Sequence, residues 1–542
     1  MINLKKYPAT LIFVCTAVIF SLWLNFNEII SIDIRFALMV ENMRDHGIGV
    51  FATVNNQPYA DYLSPYTFLS FLTSFGGRWI NMWSLALPTI LLASYVTAMT
   101  YKIGARIKPA IGIYSVIFAF LTFEYLNICR QFSIDMPVAA ATVTIIYLLM
   151  ERSRKSIFLI PLCLFFAFAM RGPLGLIISG GAFGGWLLFR AEWKRVFFWG
   201  FIGAICSAIC AAVTVFLIFR QGGQELWEIF LDWQISSRLK DGDNLYFFTG
   251  ALGSFSLVYP VAAAVFILNY KKLAFWVKSD DTDTLLLRGL LGWALLPLIA
   301  LSIPGCKHLR YMTAVIPALC LAAAYGASRL QDFKLNSVLL KFISWLEYLV
   351  LPGLAVVIVV FHLITKSINP DAGSLLIVPL VAVTILIYCQ YKYGKRLTNP
   401  ILRLAWIAAA ATLTFNILIF APWFAKYDNS SRFVAEVEAQ RHGDIYFYNI
   451  GPDHDDLKYF IHLTPERRRG FYYIFNNISS SKMYPVAGGL ELFPQLPSGD
   501  VVVVKKRDIP ELRKRIAQFD QMYEEIFDGF MAHRPFVAFR KK

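Results

Sequence analysis

Charge is scarce in this chain: Asp, Glu, Lys and Arg together make up 16% of it, against roughly a quarter in an ordinary soluble domain. Apolar residues supply 57% and mean hydropathy is +0.55, more apolar surface than one water-soluble core absorbs. A soluble enzyme is therefore excluded. Cysteine is absent after Cys389, so disulfides do not hold the last part of the chain together. There is no internal repeat, no low-complexity run and no glycine-rich nucleotide loop. The shortage of acids leaves a net charge of +15, which in a membrane chain is first a matter of topology rather than of nucleic-acid binding.

What is abundant is long apolar runs. A bilayer core takes about 20 apolar residues per helical span, and thirteen stretches are predicted to cross: 8–27, 79–100, 109–127, 134–150, 157–170, 173–189, 196–219, 249–269, 285–303, 311–328, 344–365, 374–390 and 401–424. The first follows Lys5 and Lys6 and has no small-x-small cleavage site, so it reads as an uncleaved anchor. With the N-terminus inside, the inner loops hold 22 Lys and Arg and the outer loops 11, a bias of the sign that cytoplasmic loops carry. No nucleic-acid partner is expected. The fold class is thus a polytopic α-helical membrane protein, 1–425, followed by a soluble domain, 426–542, on the outer side. Within the latter, 444–448 and 500–504 read as buried strands and 508–527 as an amphipathic helix, a small α/β module.

Chemistry collects on the outer face. The first outer loop, 28–78, carries a predicted interfacial helix over 33–46 with Phe36, Val40 and Met43 on one stripe, then a turn-rich segment with Tyr59 and Asp61. A second outer loop, 220–248, offers another, with Trp227, Phe230 and Trp233. Three short outer loops break the inside-positive bias: Arg130 to Asp135, Arg171-Gly172-Pro173, and Lys307-His308-Leu309-Arg310-Tyr311. Ionisable groups at such depth are costly and face a cavity or pair with one another; the alternative is that each snorkels to the headgroups. Cations there suit a lipid-linked phosphate, which Arg and Lys neutralise as it departs, and a nearby carboxylate takes a proton from an attacking hydroxyl. That chemistry is sugar transfer from a polyisoprenyl phosphate. Asp33 reads alternatively as a helix cap, Asp61 as a turn cap, and His308 as a packed or interfacial ring. Asp453-His454-Asp455-Asp456 and Arg467-Arg468-Arg469 read as exposed loop and patch.

Asp33-Ile34-Arg35, Gln57-Pro58-Tyr59-Ala60-Asp61-Tyr62, Arg130 with Asp135-Met136-Pro137, Arg171-Gly172-Pro173, and Lys307 with Arg310-Tyr311 occur in an order that resembles the C-type membrane glycosyltransferases. These are the aminoarabinose-transferase and protein-mannosyltransferase type, and the resemblance runs over essentially the whole chain. It implies a bacterial inner-membrane enzyme whose donor is undecaprenyl phosphate carrying one sugar. The acceptor it implies is lipid A or lipopolysaccharide, with another glycan or a protein as alternatives. In that family an acidic pair opens the first outer loop; here the matching positions are Ile32 and Asp33, so Asp33 alone stands in the catalytic place. Arg35, Tyr59, Arg130, Asp135, Arg171, Lys307, Arg310 and Tyr311 match substrate-binding positions. Asp61 falls where the family has a glutamate associated with a metal site, which makes it a candidate ligand for a divalent metal ion; no other cofactor is implied. A transporter or flippase of lipid-linked glycans is the competing class. It is disfavoured because the spans are nearly free of mid-membrane charge.

Overall fold

The computed structural model describes residues 7–24, 29, 32–54, 57–232, 236, 245–254, 257–274, 279–305, 307–329, 337–368, 373–393, 400–423, 430–450, 459, 463, 471–474, 486–531 and 534–542, with backbone alone at 32–33, 54, 57–62, 253, 337–340, 368, 393, 400–402, 471, 473 and 486–487. It falls into two compact units: residues 1–26, 40–358 and 376–420, and residues 27–39, 359–375 and 421–542.

The first unit is helical. Its helices are α1 (Pro8–Ser21), the last turns of α2 (Ile32–His46), α3 (Ser64–Thr73), α4 (Met82–Ala105), α5 (Pro109–Leu121) and α6 (Phe123–Cys129). There follow α7 (Met136–Glu151), α8 (Ser156–Arg171), α9 (Pro173–Phe189), α10 (Trp193–Leu231), α11 (Tyr246–Thr249), α12 (Ala251–Ser254) and α13 (Val258–Leu268). The series closes with α14 (Tyr270–Leu273), α15 (Thr282–Ser302), α16 (Ile316–Arg329), most of α17 (Ser337–Ile368), α18 (Ile377–Tyr393) and α19 (Pro400–Phe415). Local signals start several of them. Asn81 and Ser84 form a reciprocal capping box at α4, Asn81 accepting from the Ser84 N–H at 2.8 Å. Asp281 caps α15 by accepting from the Thr284 N–H at 3.0 Å. Small residues set the closest crossing: a Cβ on Gly185 would lie 2.0 Å from the Gly292 carbonyl oxygen, so α9 and α15 meet backbone to backbone.

The expectation of thirteen spans is matched in part. Among the described residues five helices are long and apolar enough to cross a membrane, or six if α5 and α6 are one broken span. Other apolar runs do form helices, but α1, α7, α8, α9, α13 and α18 have only 11 to 17 residues, below the roughly 20 a straight crossing uses. The run 109–127 is not straight: it bends by 81° at Thr122. The molecule is a multi-pass helical membrane protein whatever the final count. Between α2 and α3 the chain makes an antiparallel hairpin of β1 (Phe51–Val54) and β2 (Gln57–Leu63). Phe51 of the hairpin meets Phe230 at 5.9 Å, and Trp227 and Phe230 stack at 5.7 Å beyond a kink at Gly223, the site of the second predicted interfacial helix. Trp233 lies outside the described residues.

The second unit carries a six-stranded sheet in the order β5-β4-β3-β6-β8-β7, built from β3 (Ile445–Tyr448), β4 (Phe471–Ile474), β5 (Val486–Gly488), β6 (Val501–Lys505), β7 (Tyr523–Met531) and β8 (Arg534–Lys541). β3 pairs in parallel with β4 and β6, and β8 runs antiparallel between β6 and β7. Residues 445–448 and 501–504 are buried continuously, as expected of central parallel strands. The helix predicted over 508–527 is too long. It is one and a half turns at Ile509–Arg515 and one at Phe519–Met522, after which the chain becomes β7. Gln518 at φ +63° breaks the helix, and Tyr523 to Met531 gain a full ladder with β8 instead. The segments 453–456 and 467–469 lie outside the described residues.

Candidate active site

α7, α8, α9 and α16 alternate in direction, so Asp135, Arg171 and Arg310 arrive at the same end of the helical unit. Asp135 stands at the N-terminus of α7, followed by Pro137 in the first turn, yet it makes no capping bond. Its carboxylate is spent on Arg171 instead: Arg171 Nε donates to Oδ1 at 2.9 Å, with both side chains 2% exposed. The second oxygen lies 3.6 Å from Arg310 Nε, an ion-pair contact longer than a hydrogen bond. The Tyr311 ring is buried against both guanidinium groups, 5.2 Å from Arg171 and 5.9 Å from Arg310, a cation–π arrangement.

Each charged residue is held by a definite local device. Arg171 ends α8 because Gly172 takes φ +64° and ψ −150°, a conformation open to glycine, and Pro173 then starts α9. Arg310 and Tyr311 ride on a 3-10 helix, Leu309–Ala314, tied to α15 where Trp293 Nε1 donates to the Ala314 carbonyl at 3.0 Å. The loop from Arg130 to Asp135 is pinned from below. The Ser133 N–H donates to Thr89 Oγ1 at 3.0 Å, Thr89 also bonds the Tyr66 hydroxyl, and the Tyr66 and Phe132 rings meet edge to face at 4.8 Å.

Two further cations belong to this end and are incompletely satisfied. Arg130, 4% exposed, donates from Nη1 to the Phe20 carbonyl at 3.3 Å, while Nε and Nη2 have no hydrogen-bond partner among the described residues. Burial pushes its guanidinium down to about 10. Lys307 Nζ is likewise buried with no hydrogen-bond partner among the described residues. Such groups cost about 1–3 kcal/mol each while unbonded, and more when charged. Arg171 and Arg310 thus face the carboxylate of Asp135, with Arg130 and Lys307 in the adjoining loops. Glu124, on α6, is half-buried within electrostatic reach of Arg310, and the sequence reading missed it. The signal was available: an acid inside an otherwise apolar run is uncommon unless it faces a partner or a cavity.

The remaining predicted residues are placed less fully. Arg35 is a buried guanidinium on α2. Asp33 is the second residue of that helix, inside its first turn rather than ahead of it, and Tyr59 and Asp61 lie on β2; the side chains of these three are outside the described residues. No group of three or more His, Cys, Asp or Glu able to hold a metal occurs among the described residues. His308 stacks edge-on against Tyr311 at 5.4 Å, as a packed interfacial ring does. What the assembled groups offer chemically is a set of anion donors: planar guanidinium groups, an ammonium, and a carboxylate that fixes two of the cations in place.

No family profile and no curated protein sequence matches the chain. Two crystal structures of ArnT from Cupriavidus metallidurans are similar to it in fold. The apo form superposes with a TM-score of 0.64 over 98% of this chain and 98% of that one; the form bound to undecaprenyl phosphate does so at 0.63 over 98% and 97%. Sequence identity is 14% in both. The chain therefore has the ArnT fold from end to end.

Proposed function

We propose that the chain is a bacterial inner-membrane glycosyltransferase that moves a sugar from a polyisoprenyl phosphate, undecaprenyl phosphate, to lipid A or a related lipopolysaccharide acceptor at the periplasmic face. The observation that carries this reading is Arg171 and Arg310 held on the buried Asp135 carboxylate at one end of the bundle, with Arg130 and Lys307 in the adjoining loops keeping donors open among the described residues. A binding partner with spare anionic oxygens, such as a phosphate monoester or diester, completes those bonds. The fold adds support, since one of the similar structures is bound to undecaprenyl phosphate.

In this reading the acceptor oxygen attacks the anomeric carbon and the bond from that carbon to the phosphate oxygen breaks. Polyprenyl phosphate leaves with the electron pair, and Arg171, Arg310 and Lys307 neutralise the charge that develops on it. Asp135 holds Arg171 and Arg310 at fixed spacing, and Tyr311 covers them. Asp33, on the same helix as Arg35, receives the acceptor's proton when the acceptor is a hydroxyl. A phosphate acceptor is already anionic and needs no base, so Asp33 then orients it. Asp61 remains the candidate ligand for a divalent metal, and no step here depends on one. We further assign 426–542 to the periplasm.

The test is purified protein with synthetic polyprenyl-phosphate sugars and a panel of acceptors, scored for released polyprenyl phosphate. Acceptor-dependent release is expected. No release with any acceptor, together with translocation of the intact lipid-linked sugar across vesicles, would replace the enzyme by a transporter. Asp33→Asn then sorts the acceptors: a fall of about 10²-fold or more marks a hydroxyl, and a small change marks a phosphate.

A further inference from the structure

A second feature lies at the other end of the same helical unit and has no part in sugar transfer. A groove of about 650 Å3 opens between α5, α13, α16 and α19, within the usual range for a small-molecule site. Its walls are apolar, with Ile117 and Leu121 on one side, Val261 and Leu268 on another, and Ala405 and Ala408 on a third. At one end the lining changes to Asn269, Lys272, Tyr325 and Arg329, and no carboxylate lines it among the described residues. α16 begins just after Arg310 and Tyr311 and ends at Arg329, so this polar end is the one remote from Asp135.

The polar end is built rather than incidental. Buried Arg288 donates from Nε to the Lys272 carbonyl at 2.7 Å, and Asn269 Nδ2 donates to the Val265 carbonyl at 2.8 Å, which fixes the turn carrying Lys272. Nearby acids are already engaged. Asp283 pairs with Arg329 and accepts from the Tyr325 hydroxyl at 3.3 Å, and Asp281, within electrostatic reach of Lys272, caps α15. The Lys272 side chain itself is exposed at the mouth. An apolar slot with an exposed ammonium at its mouth, beside a guanidinium that Asp283 already pairs, complements a molecule with a hydrocarbon tail and an anionic head. A zwitterionic head would bring its own cation against Lys272 and gain less.

We propose that this groove binds one anionic glycerophospholipid, an acyl chain lying between α5, α13, α16 and α19 and the headgroup phosphate at Lys272. The proposal does not rest on the reading of the transfer site. It is tested on the purified full chain by native mass spectrometry and thermal unfolding, with phosphatidylglycerol compared with phosphatidylcholine of the same acyl chains. Wild type is expected to retain one phosphatidylglycerol preferentially and to unfold at a higher temperature with it than with phosphatidylcholine. Lys272→Gln, at an exposed site, should leave the lipid-free midpoint unchanged and weaken phosphatidylglycerol retention about fivefold, the effect of one cation near a lipid phosphate. Ala408→Phe should fill the slot and abolish retention. Equal retention of the two lipids by wild type, or unchanged phosphatidylglycerol retention in Lys272→Gln, overturns the proposal even where the Ala408→Phe protein fails to fold.

Discussion

The two ends of the helical unit use the same side chains to opposite effect. At the end where α9 gives way to α10, the Glu192 carboxylate accepts from Arg190 Nε at 2.9 Å, pairs with Arg195, and lies 3.5 Å from Arg152 Nη2. The guanidinium groups left over are used as well: Arg190 Nη1 donates to the Leu285 carbonyl at 3.2 Å and Arg195 Nη2 to the Leu149 carbonyl at 2.8 Å. Arg190 also covers the Trp186 ring at 5.1 Å. At the Asp135 end, buried Arg130 has one long bond and Lys307 has none. A network that serves the fold closes its hydrogen bonds, because each open buried donor is a standing cost. One that leaves them open is arranged for something that arrives later.

That contrast can be broken or sharpened in four places. The largest effect is expected at Arg171. Replacing it with Gln strands the Asp135 carboxylate in the core, and loss of one partner of a buried pair costs about 3–5 kcal/mol of stability. Turnover should fall with it, and adding Asp135→Asn should restore much of the stability but none of the turnover. A thermal midpoint for the double variant no better than for the single one would show that the pair is not what Arg171 stabilises. Next comes Lys307→Gln, which removes an unbonded charge: stability should hold or rise, while transition-state stabilisation drops by about 2–4 kcal/mol. Normal turnover in that protein would remove Lys307 from the phosphate site. Gly172→Ala should cost about 1–3 kcal/mol through backbone strain alone, since a Cβ there meets nothing within 4 Å; chemical denaturation measures it. The smallest effect is at the closed end. Glu192→Gln should lose about 1 kcal/mol with turnover per folded molecule unchanged.

The Glu192 case also carries a pH dependence. Burial pushes its carboxyl up, but Arg190 and Arg195 outweigh burial and hold it below the ordinary value of 4.5. A depressed folded-state value means the contribution is complete above the unfolded value and fades as pH falls through the folded one. Unfolding midpoints of wild type and Glu192→Gln should therefore differ near neutrality and converge in acid.

Much of this arrangement was legible beforehand, for reasons that can be named. Arg171 and Arg310 stood out because they break the inside-positive bias tight against apolar runs, and Asp135 stood out as an acid in the same loop as Arg130. Helix positions followed from apolarity, which is local. Helix lengths and bends did not: the 81° turn at Thr122 has no proline or glycine to announce it, so Glu124 was hidden inside a supposed span. The supporting bonds of Tyr66 and Thr89 were also illegible, because pairing residues 23 positions apart depends on packing. At the C-terminal end, Tyr523, Ile526 and Phe527 fall at i, i+3 and i+4, the spacing of a helix face, and only the ladder with β8 decides otherwise.

The shortness of α7, α8 and α9 has a consequence for the membrane itself. At 16, 16 and 17 residues they rise about 24–26 Å, less than a hydrocarbon core of about 30 Å. Of the three, α8 turns Ile157, Phe158 and Leu162 outward while α7 is packed inside the bundle, so hydrocarbon on that side meets a short apolar face. A mismatch of that kind is taken up by local thinning or by tilt, and its cost grows with the acyl length of the host lipids.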